Sequence, residues 1–227
     1  MRPLSGRVAV KVSDAARRRK TRYKARHPLV PMATRMEAGY VSATALDGSS
    51  MTITIVRADA IRHRALLIAM NVKYFEWMDR QISRDFGIRV TDLLDGSIPD
   101  YVASTVDKLC AAEAPEGVFY VVHRDGRPAG MGGVRQLADG ASEMKRVFVP
   151  PEARGGGLGA AIVKRLIADA RGFGYTTMRL ESGPFMGSAH RLYEAEGFRD
   201  RAPYDGAEVP EELRHNWRFM ERALGGV

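Results

Sequence analysis

The sequence predicts one catalytic α/β domain in which strands and helices alternate, preceded by a basic extension. Three observations carry this. A β-like run at residues 144–149 leads through the Pro150-Pro151 break into the glycine-dense turn Arg154-Gly155-Gly156-Gly157-Leu158-Gly159-Ala160, and then into a helix-like run at 161–170. Residues 117–123 and 128–134 flank Arg124-Asp125-Gly126-Arg127, the signature of a β-hairpin with an Asp-Gly turn. Residues 175–182 and 217–222 alternate like strands on either side of a short helical segment stopped by Gly197.

The remaining elements follow in chain order. Residues 52–57 alternate and predict the first strand of the domain. Residues 58–83 have helical spacing, with Leu66, Leu67, Met70, Tyr74, Trp77 and Met78 available for an apolar face. Phe86-Gly87-Ile88 and Asp95-Gly96-Ser97 read as breaks, and residues 99–112 as a second helix with Pro99 near its first turn. After Gly197 a strand is expected from Phe198.

Composition bounds the class. A chain of 227 residues with 45% hydrophobic content can bury one good core. No apolar run reaches the roughly 18 residues of a membrane span, and the basic start lacks the apolar segment of a secretory signal, so neither a membrane nor an exported setting is expected. The single Cys110 excludes an intramolecular disulfide and fits a reducing, cytoplasmic setting.

The formal charge of +8 is not spread evenly. Residues 1–40 hold eleven basic and two acidic side chains, +9, whereas the rest hold 24 basic and 25 acidic, −1. The expected division is therefore a basic, disordered extension at 1–50 and a domain at 51–227. Two readings of the extension stand: a weak polyanion-binding arm centred on Arg17 to Arg26, or an over-extended gene start, with Met51 or Met36 as the natural beginning.

A glycine-dense turn opening a helix directs several unpaired backbone N–H groups at one point. The helix dipole adds partial positive charge there, so the turn suits a phosphate or pyrophosphate. A Walker loop is excluded because no Gly-Lys-Ser/Thr closes the turn, and the dinucleotide Gly-x-Gly-x-x-Gly spacing fits only in part. The pattern Arg-x-x-Gly-x-Gly fits, as Arg154, Gly157 and Gly159.

That pattern resembles the pyrophosphate loop of the GNAT superfamily of N-acetyltransferases. Downstream, Ala189-His190-Arg191-Leu192-Tyr193-Glu194-Ala195-Glu196-Gly197-Phe198 resembles the second signature of the same family, Ala-x-x-Leu-Tyr-x-x-x-Gly-Phe. The resemblance covers about residues 52 to 224 and is strongest from 117 to 204. It implies the GNAT fold, a mixed, mostly antiparallel sheet flanked by helices, and acetyl-coenzyme A as co-substrate. It also implies that the segment between the first two strands, about 60 residues here, covers the substrate side as an elaborated lid. In it the stripe Tyr74, Phe75, Trp77 and Met78 reads either as acceptor-pocket wall or as core.

Forming an amide from a thioester requires a neutral amine, a stabilised oxyanion, a protonated leaving thiolate and two substrates held together. The resemblance implies a role for each stretch of the site. The strand carrying Val147, Phe148 and Val149 would bind pantetheine, with the Val147 N–H toward the thioester carbonyl. Gly155, Gly156, Gly157, Leu158, Gly159 and Ala160 would seat the pyrophosphate, with Arg154 adding positive charge. Tyr193 falls on the family's general-acid tyrosine, against the alternative that it only packs. Glu143, entering the cofactor cleft, is the candidate base, with a surface carboxylate or one paired with Lys145 or Arg146 as the alternative and Glu181 as second candidate. His123 and His190 have suitable chemistry but are read as ordinary surface or core histidines.

The sequence departs from the family at Met186, where an asparagine often contacts the cofactor; Ser188 is the candidate replacement. No metal site is expected. The reading is an N-acetyltransferase acting on a small-molecule amine or a peptide by direct transfer in a ternary complex, since Cys110 lies away from both signatures. Asp79, Glu143, Asp205, Glu208 and Glu211 are carboxylates that would favour a cationic acceptor. The resemblance leaves the oligomeric state open between monomer and homodimer, because the family's last strands often pair or exchange. Two other readings remain: a non-catalytic acyl-coenzyme A sensor, and a transferase whose macromolecular target is held by the basic arm.

Overall fold

The computed structural model describes residues 39–44, 50–94 and 96–225. The chain divides after Glu37, and these residues all belong to the unit Ala38–Val227. The basic extension, with both readings of it, lies outside the described residues up to Gly39.

Eight strands form one sheet in the order β1-β2-β3-β4-β5-β6-β8-β7. They are β1 (Gly39–Thr44), β2 (Ser50–Arg57), β3 (Gly117–Arg124), β4 (Arg127–Gln136), β5 (Ser142–Phe148), β6 (Thr177–Ser182), β7 (Arg199–Asp200) and β8 (Arg218–Ala223). Every neighbouring pair is antiparallel except β5 and β6. The mixed, mostly antiparallel sheet is therefore present. Its edge begins earlier than the expected first strand: β1 pairs with β2 in register from Gly39↔Ile55 to Thr44↔Ser50. The β3–β4 hairpin turns on Asp125 and Gly126, at φ 50° and 76°, the left-handed pair that the Asp-Gly sequence supplies.

The helices are α1 (Arg64–Phe86), α2 (Val90–Leu93), α3 (Ile98–Thr105), α4 (Leu158–Gly172), α5 (Gly187–Ala195) and α6 (Glu211–Arg214). Helix α1 stops at Gly87, which is left-handed at φ 69°. Helix α3 starts where Ser97 accepts from the Asp100 N–H, with Pro99 in its first turn. It does not run to residue 112: a 3₁₀ turn, Val106–Leu109, replaces its end.

The sheet is covered on both faces. On one side Ile162, Val163 and Leu166 of α4, each 1% exposed or less, pack in the main core with Val118, Tyr120 and Val122 of β3. On the other side Leu67 and Met70 of α1 pack with Phe119, Val121 and Met131. Burial from both sides explains why β3 reads as a continuous apolar run at its start. Each such side chain contributes about 1.5–3 kcal/mol of burial. Helix α4 lies close on β4 because Gly132 has no side chain: a Cβ there would come within 2.9 Å of Ile162 Cγ2.

Candidate active site

The site forms where β5 and β6 part. Their parallel ladder consists of Ser142↔Met178 and Glu143↔Arg179, and beyond it the strands diverge. On its other edge β5 bulges: the β4 register passes from Met131↔Phe148 to Gly133↔Lys145, leaving Arg146 and Val147 opposite one residue. Arg146 takes φ 52°, which few non-glycine residues adopt. The bulge and the divergence together open the centre of the sheet.

Two cavities occupy the opening. The larger, about 570 Å³, lies between the end of β5, the glycine turn and α5. The smaller, about 180 Å³, lies between α1, β5, β6 and the segment bearing Glu208, Leu213 and Trp217. Tyr74, Val147, Met186 and Tyr193 line both, so the two meet at these four residues.

The glycine turn has the form of an anion seat. Gly155, Gly156 and Gly157 take φ 87°, 60° and 78°. Gly157 caps α4 without a side-chain bond, and no acidic residue stands in the first turn. The first intrahelical bond runs from Ala161 N–H to the Gly157 carbonyl at 3.0 Å. The N–H groups of Leu158, Gly159 and Ala160 precede it and point outward unpaired. Nothing lies within 4 Å of a Cβ built on Gly157, so its glycine is required by φ and not by space. Arg154 stands beside the turn, its Nε donating to the Val149 carbonyl at 3.1 Å and its guanidinium 5.2 Å from the Trp77 ring centroid. These features fit the diphosphate of a coenzyme A.

Of the expected cofactor residues, Val147, Phe148, Val149, Arg154, Gly155, Gly157, Leu158, Gly159, Ser188 and Tyr193 line the larger cavity. Gly156 and Ala160 belong to the turn and its first helical residues without lining it. Ser188 accepts from Arg191 Nη2 at 3.4 Å. Met186 accepts from Ser182 Oγ through its sulfur at 3.2 Å and lies at the junction of the cavities. Tyr193 is 6% exposed, held against Phe198 at 5.9 Å between ring centroids. Its hydroxyl has no hydrogen-bond partner among the described residues, and burial pushes its pKa up, so it stays a proton donor. Burial likewise pushes Tyr74 up to about 12.

The two candidate bases differ sharply. Glu143 is 2% exposed and lines the smaller cavity, but both its oxygens are engaged. Arg135 Nε donates to Oε2, and the Tyr204 hydroxyl donates to Oε1 at 2.8 Å. Its cation is Arg135, not the Lys145 or Arg146 that the sequence reading offered as partners. Glu181 lines the same cavity and forms no ion pair within 4 Å among the described residues. It accepts the Glu208 and Val209 backbone N–H groups, each at 3.1 Å. Burial, with the Glu143 and Glu208 charges nearby, pushes its pKa up to about 7.

The other candidates separate from the site. Asp79 binds the Val90 N–H at 2.7 Å and pairs with Arg89, and neither Asp205 nor Glu211 lines a cavity. Glu208 lines the smaller cavity, paired with Lys145 and Arg135. His190 contacts Ser182 Oγ at 3.1 Å, and neither it nor His123 lines a cavity. Of the aromatic stripe, Tyr74, Phe75 and Met78 line the smaller cavity and Tyr74 and Trp77 the larger, and all four also pack against buried core clusters. Phe185, Arg191 and the Arg146–Asn71 pair escaped sequence reasoning. Only tertiary contact brings them to the site, although Arg146 stands in the strand already singled out. No group of three or more metal-binding side chains occurs among the described residues.

A split parallel strand pair, a bulged strand and a glycine turn opening a helix are features of the GNAT fold. The model of the acetyltransferase (GNAT) family matches residues 86–198. An IAA acetyltransferase of Azospirillum brasilense is 36% identical over 111 residues, 48% of this chain and 70% of that protein. An uncharacterized N-acetyltransferase of Schizosaccharomyces pombe is 29% identical over 148 residues, 64% and 87% of the two chains. Among solved structures, a GNAT-family acetyltransferase from Staphylococcus aureus aligns with TM-score 0.55 at 19% identity, covering 76% of this chain and 99% of that one. An acetyltransferase from Streptococcus agalactiae gives TM-score 0.55 at 17% identity over 75% and 98%. The chain belongs to the GNAT family and is an N-acetyltransferase, an enzyme class that takes acyl-coenzyme A as co-substrate and an amine as acceptor. No helix among the described residues is long and apolar enough to cross a membrane.

Proposed function

We propose that the chain transfers an acetyl group from acetyl-coenzyme A to a primary amine by direct attack, with both substrates bound together. The observation that carries this reading is the meeting of the two cavities at Tyr74, Val147, Met186 and Tyr193. A coenzyme in the larger and an amine in the smaller would bring their reacting atoms together there.

The co-substrate supplies an activated acyl carbon as its thioester. The glycine turn, Arg154 and the backbone of β5 bind and orient it. The Val147 N–H, released from the ladder by the bulge, faces the carbonyl oxygen and stabilises its developing charge. Glu181, with its pKa near 7, takes the proton that leaves the attacking amine. Tyr193 gives its hydroxyl proton to the departing sulfur and regains one from solvent. The new C–N bond forms as the C–S bond breaks, and products are the N-acetyl amine and free coenzyme A thiol. Glu143 holds the shape of the site through Arg135 and Tyr204 in place of acting as base.

Free-thiol release from acetyl-coenzyme A, measured against a broad amine panel, tests the reading. Acceptor-dependent release supports it. Tight coenzyme binding without release from any acceptor overturns it in favour of a non-catalytic sensor.

A further inference from the structure

We infer that the acceptor is an amino acid: its carboxylate is gripped by Arg146 and its amine is presented to Glu181. This rests on the function proposed above and names the substrate class of the same site.

Arg146 is built into its position. It sits at the bulge of β5 with φ 52°, a conformation that costs about 1–2 kcal/mol in a non-glycine residue and turns the chain out of the regular pleat. Its Nη1 donates to Asn71 Oδ1 at 2.8 Å. Asn71 is fully buried, and its own Nδ2 donates to the Leu67 carbonyl at 2.8 Å, which fixes the amide with its oxygen toward Arg146. The guanidinium lies 5.1 Å from the Phe75 ring centroid. It is thus clamped on one edge and one face, and it lines the smaller cavity.

The charges lining that cavity are mostly cancelled within the protein. Lys145 pairs with Glu208, and Glu143 with Arg135. Two groups are left over. Arg146 has no carboxylate within 4 Å among the described residues, and Glu181 has no cation within the same distance. With one donor on Asn71 and the others open to the cavity, the planar fork of the guanidinium matches a carboxylate. One uncompensated cation and one uncompensated carboxylate in one cavity complement a zwitterion carrying an amine and a carboxylate. Phe75, Met78, Leu93, Leu94 and Trp217 make the remaining wall apolar, which suits an apolar side chain. A volume of about 180 Å³ falls below the roughly 300–1,000 Å³ of drug-sized pockets and limits the guest to a small molecule. The first residue of a peptide has no free α-carboxylate to meet Arg146.

Initial rates of thiol release with each of the twenty amino acids, its amide and its decarboxylated amine test this. For the best acceptor, kcat/KM of the acid should exceed that of both analogues by at least about tenfold. In Arg146→Gln that ratio, measured within one variant, should fall to within about threefold of one. Amides, decarboxylated amines or peptides used as well as the acids by the full-length enzyme would overturn the amino-acid acceptor while leaving acetyl transfer intact. Release with no acceptor at all would overturn the transferase reading and this inference with it. A wild-type preference that survives in Arg146→Gln, and in Arg146→Lys should the first variant not fold, removes Arg146 as the carboxylate ligand.

Discussion

Arg135 of β4 and Glu143 of β5 are cross-strand partners, and the Arg135 guanidinium closes on the Glu143 carboxylate where that carboxylate is 2% exposed. Removing one member leaves a buried charge without its counter-ion. Arg135→Met should therefore cost on the order of 3 kcal/mol, seen as a lower urea midpoint, and Arg135→Met/Glu143→Gln should recover most of that loss. A double variant no more stable than Arg135→Met would show that the pair is not the source of the effect.

Glu181 should set the acid side of the pH–rate profile. Its carboxyl sits near 7 because burial and the Glu143 and Glu208 charges oppose ionisation. A base must be deprotonated to accept a proton, so kcat/KM should rise with pH through an apparent pKa of about 7. Glu181→Gln should lower kcat by about 10²-fold and remove that limb. A limb unchanged in Glu181→Gln, but lost in Glu143→Gln, would return the base to Glu143.

Tyr193 should act on the chemical step and not on binding. Tyr193→Phe keeps the ring against Phe198 and removes only a hydroxyl with no hydrogen-bond partner among the described residues. The expected result is kcat lower by about 10²-fold with the coenzyme Kd within threefold of wild type. Turnover at the wild-type rate would leave Tyr193 a packing residue.

Gly157→Ala should weaken coenzyme binding through the backbone. The new methyl meets no atom within 4 Å, so the whole cost is the left-handed φ of 78°, about 1–2 kcal/mol. Calorimetry should show roughly tenfold weaker coenzyme A binding, with a lower Tm if the turn keeps its geometry. Unchanged affinity would mean that this turn does not seat the diphosphate.

A chain beginning at Ala38 should melt and turn over as the full chain does, because β1 and all later strands remain. A chain beginning at Met51 loses β1 and exposes the edge of β2. Size-exclusion chromatography should show it associating, and equal behaviour of the two truncations would make β1 dispensable.

Much of the architecture was legible along the chain because it is local. An Asp-Gly pair dictates the β3–β4 turn, Gly87 and Gly197 end helices by their left-handed backbone, and the three left-handed glycines before Leu158 lead into a helix. Tyr193 stands in a motif whose spacing is itself the signal. The short helix α2, the 3₁₀ end of α3 and the strand β1 carry no comparable local mark; packing and pairing with distant residues make them what they are.

Sequence by itself determined the order of the longer elements from β2 to β8, the glycine turn and the tyrosine helix, because backbone conformation near glycine and proline is set by the residues on either side. Tertiary structure alone decided which carboxylate meets a cation and which is held by backbone N–H groups. Arg135 and Tyr204 reach Glu143, while the backbone of Glu208 and Val209, 27 and 28 residues away, reaches Glu181. It also decided that Arg146, one of 35 basic residues, lines a cavity with no carboxylate in ion-pair contact among the described residues. The ionisation of a buried group depends on which charges and dipoles surround it in space, and those neighbours come from strands and loops that only the folded chain brings together.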